Sequence, residues 1–233
     1  RVEQRTSHSG VRGDQGVRDG AEPVIIPGAK PAVKVRSGSL TRGSHSDGIT
    51  GNMPRPVIFL DRDGTLNVDK GFVHRVADWE FTDRAPDALR ELRDAGYALA
   101  LVTNQSGVGR GYFTLEDVHV LHEYVRQQLA QYGVTLDAIA VCPHAPDDGC
   151  ECRKPRTELA RQIETQLGEP IAYERSWVIG DKLSDLEFGR ALGTQVYLLR
   201  SRYWHEGQRQ DASLLIADSL YQAAQAILAR SGR

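Results

Sequence analysis

From residue 53 onward the chain alternates two hydrophobic patterns. Short continuous apolar runs are followed by longer stretches in which apolar residues return every three or four positions. The runs Pro56–Leu60, Tyr97–Thr103, Ala138–Val141, Trp177–Gly180, Gln195–Leu199 and Leu214–Ala217 predict strands buried on both faces. Between them, Ala85, Leu89 and Leu92 predict a helix with Pro86 in its first turn and Gly96 just past its end. Thr114 can cap a helix that buries Val118, Leu121, Val125 and Leu129 and closes at Gly133. Thr157 begins one with Leu159, Ile163 and Leu167 inward and Gly168 at its end, another runs through Leu186 and Ala191, and a last one spans residues 219–229. Asn67 to Thr82 has no period and predicts a loop over the top of the sheet. Strands alternating with helices predict an α/β fold: a single Rossmann-like, three-layer domain around a mostly parallel sheet, over residues 53–233.

The predicted strands end in chemistry. The first stops at Asp61-Arg62-Asp63-Gly64-Thr65. Two carboxylates about 4 Å apart repel by roughly 4 kcal/mol at an effective dielectric near 20, so keeping them together calls for a cation, a shared proton or water. Mg²⁺ would serve, and one carboxylate could then attack phosphorus while the other moves a proton. Thr103, Lys154 and Asp181 also lie at or just beyond strand ends, where ligands of parallel sheets gather, so one pocket could hold all four groups. All three cysteines fall between positions 142 and 152. With His144, the thiolates of Cys142, Cys150 and Cys152 make the complete tetrahedral set of a structural Zn²⁺ site with no open position. Such a loop would present Arg153 and Lys154 to the pocket, and it has few apolar groups to fold around without metal.

Composition narrows the class. The 233 residues are 40% hydrophobic and 26% charged with a formal net charge of -2, which suits one sizeable core and argues against a polyanion binder. No apolar run approaches the roughly 20 residues of a membrane span, and no nucleic-acid or membrane partner is expected. Clustered cysteines in a metal site fit a reducing, cytoplasmic setting, and a monomer is expected. Residues 1–52 contain no aromatic residue other than histidine and a single leucine, Leu40, so they predict a disordered extension or non-native segment. Met53, the only methionine, reads as the natural start. His119 and His122, nearly one turn apart, read as part of an exposed polar helix face, and Trp79, Trp177 and Trp204 as packing or loop anchors.

Asp61, Asp63, Thr103, Lys154 and Asp181, in that order, resemble the four signature motifs of the haloacid dehalogenase-like phosphohydrolases. The resemblance implies that Asp61 is the nucleophile and Asp63 the general acid/base. It also implies that Thr103 and Lys154 steady the phosphoryl group, and that Mg²⁺ is held by Asp61, the Asp63 carbonyl and Asp181. Asp185 would orient the water around the metal or Lys182. Residues 61–74, Thr103-Asn104-Gln105-Ser106-Gly107 with Arg110-Gly111, Cys152-Arg153-Lys154-Pro155 and Gly180-Asp181-Lys182 are similar to the heptose bisphosphate phosphatase group. That group is capless, and its resemblance implies removal of the 7-phosphate from the small sugar D-glycero-D-manno-heptose 1,7-bisphosphate, a step in nucleotide-activated heptose synthesis. It further implies substrate contacts from Asn67, Asp69, Lys70, Gly71, Phe72, Asn104, Gln105, Ser106, Arg153 and Lys182. Only Ala145–Gly149 separate His144 from the second cysteine pair, a short spacing similar to histidinol-phosphate phosphatase domains. That activity and a non-catalytic sugar-phosphate binding module are the alternatives, and the anomer preferred stays open.

Overall fold

The computed structural model describes residues 53–202, 204 and 214–231, so the expectations for residues 1–52 lie outside the described residues. The predicted strands become β1 (Val57–Leu60), β2 (Ala98–Asn104), β3 (Ala138–Cys142), β4 (Trp177–Gly180), β5 (Gln195–Leu199) and β6 (Leu215–Ala217). They form one six-stranded sheet in the order β3-β2-β1-β4-β5-β6. Every adjacent pair is parallel. Between them run α1 (Ala85–Asp94), α2 (Ser106–Gly109), α3 (Leu115–Gln131), α4 (Glu158–Leu167), α5 (Leu183–Leu192) and α6 (Leu220–Ser231).

Alternate strand residues separate two cores, as a pleated sheet covered on both faces requires. Ile58, Leu60, Leu99, Leu101 and Ile179 pack with apolar residues of α1, α3 and α6. Val57, Phe59, Ala100, Val102 and Val178 pack with those of α4 and α5 on the other face. The result is the expected three-layer domain, without a separate cap domain among the described residues.

Local chemistry fixes the elements much as their sequences suggest. Thr114 and Asp117 form a reciprocal capping box at the start of α3. Pro86 occupies the first turn of α1, and Gly168 ends α4 in the left-handed region at φ 68°. Thr157 precedes α4 but makes no side-chain cap. Three short turns have no counterpart in the periodicity: 3-10 turns at Val76–Asp78 and Tyr173–Arg175, and α2 itself. The edge strand β3 is closed off by Gln166, whose amide accepts from the Ile139 N–H at 3.1 Å and donates to the Ile139 carbonyl at 2.8 Å.

Candidate active site and metal loop

The chain runs outward from β1 through β2 to β3, then crosses back to place β4 on the other side of β1. Strand order therefore reverses at β1, where parallel sheets open a crevice beyond their carboxyl ends. Asp61 follows β1 and Asp181 follows β4, and the Asp61 N–H donates to the Ile179 carbonyl at 2.9 Å. The turn after β1 comes so close to β4 that a Cβ on Gly64 would lie 2.4 Å from Asp181 Oδ2. With φ at +87°, position 64 admits glycine for both reasons. Gly180 is constrained alike, since a Cβ there would meet the Asp185 carboxylate at 2.3 Å.

Lys154 reaches this point from the loop after β3. Its ammonium donates to Asp61 Oδ1 at 2.8 Å, Asp185 Oδ1 at 2.6 Å and the Val102 carbonyl at 2.8 Å, which uses all three of its protons. All three charged side chains are buried. Burial alone would raise the Asp61 carboxyl, but Lys154 and then Lys182 outweigh it and hold the group down at about 2. Burial alone would lower the Lys154 ammonium, yet Asp185 and Asp61 raise it above its ordinary value. Asp61 is thus an ionised carboxylate at neutral pH, as a nucleophile must be.

Asp63 sits in a cradle of donors. Arg62 Nη2 donates to both of its oxygens, at 3.0 and 2.9 Å. Asn67 Nδ2 reaches Oδ1 at 3.1 Å and Gln105 Nε2 reaches Oδ2 at 2.9 Å. Gln105 also donates to Thr103 Oγ1 at 2.8 Å, which ties the ends of β1 and β2 together. Asn104 pairs with the Lys154 backbone, accepting from its N–H at 3.0 Å and donating to its carbonyl at 3.2 Å. Three amides expected to touch substrate, Asn67, Asn104 and Gln105, are thus placed against Asp63, Thr103 and the Lys154 backbone.

The donor set for a cation can be tested directly. Lys182 Nζ stands 3.2 Å from Asp181 Oδ1, 3.2 Å from the Asp63 carbonyl and 3.5 Å from Asp61 Oδ2. These are the oxygens expected to hold Mg²⁺, and they already converge on one positive charge. Asp181 Oδ1 is buried with the Lys182 ammonium as its ion-pair partner and no hydrogen bond of good geometry, while Oδ2 accepts from Ser201 Oγ at 3.0 Å. Burial pushes the Asp181 carboxyl up to about 6, with Asp61 and Asp185 adding to the shift against Lys182. Hard oxygens converging from two carboxylates and a backbone carbonyl fit Mg²⁺. Asp185 belongs to the same acidic cluster, but its oxygens are occupied by Lys154 and by the Lys182 N–H at 3.0 Å.

The cysteine loop makes a second centre. Cys142 Sγ lies 3.6 Å from Cys150 Sγ and 3.7 Å from His144 Nδ1, and His144 Nδ1 lies 3.2 Å from Cys152 Sγ. Zn–S bonds near 2.3 Å in a tetrahedron set ligand atoms roughly 3.8 Å apart, so this spacing suits a metal enclosed by all four. Burial, then the neighbouring Cys152 thiol, pushes the Cys142 thiol well above its ordinary value, a cost that a bound cation would reverse. Arg153 donates to the His144 carbonyl at 3.4 Å, so the loop carries Arg153 as well as Lys154.

The remaining expected contacts lie on the rim. Phe72 is half exposed and meets Tyr112 edge to face, with ring centroids 5.0 Å apart. Gly71 donates to Asp69 Oδ1 at 2.8 Å, Lys70 pairs with Glu80 at 2.7 Å, and Ser106 opens α2. Sequence reasoning missed Arg62 and Ser201 as partners of the acidic groups. Trp204 proves more than a packing anchor, because its indole N–H donates to the Asp181 carbonyl at 2.8 Å. His122 is a correction: the expected exposed histidine is buried, and only His119 is exposed. The missing signal was the stripe Val118, Leu121, Val125 and Leu129, which position 122 widens on the same face.

Comparison with known proteins agrees with this geometry. The family model described as polynucleotide kinase 3 phosphatase matches residues 56–212. A D-glycero-beta-D-manno-heptose-1,7-bisphosphate 7-phosphatase of Yersinia pestis is 42% identical over 184 residues, covering 75% of this chain and 96% of the relative. The protein of the same name from Escherichia coli K12 is 40% identical over 181 residues, covering 74% and 93%. The solved D,D-heptose 1,7-bisphosphate phosphatase from B. bronchiseptica, complexed with magnesium and phosphate, aligns with a TM-score of 0.65 at 31% identity, over 75% of this chain and 99% of its own. On these matches the chain belongs to the polynucleotide kinase 3 phosphatase family, within the haloacid dehalogenase-like phosphatases, and groups there with the heptose bisphosphate 7-phosphatases.

Proposed function

We propose that this protein is a Mg²⁺-dependent phosphatase that removes the 7-phosphate of D-glycero-D-manno-heptose 1,7-bisphosphate, and that it takes the β anomer for which its relatives are named. The observation that carries the reading is the convergence of Asp61, Asp181 and the Asp63 carbonyl on one cationic position, with Lys154 bonded to Asp61. Asp61 and Asp181 with the Asp63 carbonyl would hold Mg²⁺, which supplies charge neutralisation at the phosphoryl oxygens.

Asp61 attacks phosphorus, the bond from phosphorus to the sugar oxygen breaks, and Asp63 gives its proton to that oxygen as the sugar leaves. Asp63 then takes a proton from water as the water attacks the aspartyl phosphate, the Asp61–phosphorus bond breaks and inorganic phosphate departs. Thr103 and Lys154 stabilise charge on the phosphoryl group. Arg153, Lys154 and Arg156 line a cavity of about 300 Å³ beside the site, and the planar fork of Arg153 suits the phosphate that is not cleaved. Phe72 and the loop from Asp69 to Gly71 contact the sugar, and Ser106 and Lys182 complete the substrate site. The four-ligand loop holds a structural Zn²⁺, and reliance on reduced thiols suits a cytoplasmic, monomeric enzyme. No helix among the described residues is long and apolar enough to cross a membrane.

Phosphate release compared across heptose bisphosphate, histidinol phosphate, fructose bisphosphate and a 3′-phosphorylated oligonucleotide tests the reading. Heptose bisphosphate is expected to give the highest kcat/KM. A clear preference for histidinol phosphate or the oligonucleotide would replace the substrate, and no release from any of them with Mg²⁺ present would favour a binding module.

A further inference from the structure

The cradle of Asp63 extends backward into α3. Arg62 is fully buried, and its Nη2 donates to both Asp63 oxygens and to the Val73 carbonyl. Its Nη1 lies 3.5 Å from His122 Nε2, the only hydrogen bond of that nitrogen among the described residues, and its Nε has none. A guanidinium nitrogen can only donate, so Nε2 is the acceptor and His122 is the neutral tautomer protonated on Nδ1. Burial first, then the Arg62 charge, pushes the His122 imidazole down to about 3, which keeps it in that state.

The geometry of the Arg62 contact gives His122 its importance. A side-on fork uses two nitrogens and fixes the guanidinium plane against the carboxylate. Here a single nitrogen serves both carboxylate oxygens and the Val73 carbonyl, so His122 is the hydrogen-bonded anchor of the other end of the guanidinium. We propose that His122 is a positioning residue for the proton-transfer step, fixing the Asp63 carboxylate through Arg62 from its place on α3. The inference rests on the acid/base reading of Asp63. His122 also lines a cavity of about 370 Å³ bounded by Leu115, Arg126 and Gln162, so a replacement side chain has room there.

The test measures 7-phosphate release, thermal melting and substrate KM for His122→Leu, His122→Gln and His122→Asn. Leucine keeps the bulk without the acceptor, glutamine can reach Arg62 Nη1 with its carbonyl, and asparagine is polar but too short. Expected is a kcat loss of about 10-fold to 100-fold in His122→Leu and His122→Asn with KM within about twofold, and recovery of most of it in His122→Gln, since small misplacements of a reacting group cost rate rather than binding. Should the leucine variant melt below the assay temperature, the asparagine and glutamine pair decides. Wild-type kcat in the asparagine variant, or equal losses in asparagine and glutamine, would overturn the proposal. Wild-type kcat in Asp63→Asn would remove the reading beneath it, and the proposal with it.

Discussion

At the scale of single residues, Asp61 and Asp63 are two positions apart yet have opposite surroundings. Asp61 faces two ammonium groups and stays ionised, whereas Asp63 is held by a guanidinium and two neutral amides and keeps part of its side chain exposed. Those surroundings support the proposed division of one motif into a nucleophile, Asp61, and a proton carrier, Asp63. Asp61→Asn is expected to abolish turnover, and Asp63→Asn to slow it by a factor on the order of 10² to 10⁴. Single-turnover phosphate release measures both, and near-normal turnover in Asp61→Asn would rule out the covalent route. Both aspartates were legible because carboxylates spaced two apart at the end of an apolar run have few structural uses. The hydrogen bonds of Asn67, Asn104 and Gln105 to their neighbours were not, since an amide beside a strand end can face a ligand or a neighbour with no change in sequence.

At the scale of elements, periodicity located each long helix and every strand to within a residue or two, because each buries a face whose repeat is fixed by geometry. α2 and the two 3-10 turns are too short to show a repeat and are set by tertiary contacts such as the Gly109 N–H to the Pro143 carbonyl, 2.7 Å. His122 was misread for a related reason: a polar residue on a core-facing stripe looks like the edge of the solvent face until its buried partner, Arg62, is known. The metal loop makes its own prediction. Chelation of zinc should abolish amide-exchange protection across residues 142–155 while β1 retains its protection, because the loop has little apolar anchoring of its own. Metal analysis finding no zinc in fully active protein would defeat the assignment.

At the scale of the whole molecule, the reversal of strand order at β1 brings Asp61 and Asp181, 120 positions apart in the chain, together, which no local pattern reports. Two buried groups then couple the site to global stability in opposite directions. The imidazole of His122 is held down to about 3, so as pH falls below its unfolded value near 6.5 the unfolded chain binds a proton that the folded one does not, and stability is lost. The Asp181 carboxyl is held up to about 6, so as pH rises from its unfolded value near 3.9 the folded chain retains a proton that the unfolded one has lost, and stability is lost in that direction. In metal-stripped protein these two effects oppose each other between about pH 4 and 6. Relative to wild type, Asp181→Asn should make the slope of stability against pH more positive by about 1.4 kcal/mol per unit, and His122→Gln should make it more negative by about as much. Urea unfolding across that range measures the slopes, and equal slopes in the two variants would refute the coupling.

The ammonium of Lys182 amid the three oxygens gives the enzyme a resident counter-ion. If Mg²⁺ is held by these same oxygens, as proposed, it shares them with that ammonium, and its affinity reflects the repulsion between the two charges. Lys182→Met should therefore bind Mg²⁺ more tightly by calorimetry while melting at a lower temperature without it. A weaker affinity would mean that the lysine recruits the metal instead of deferring to it.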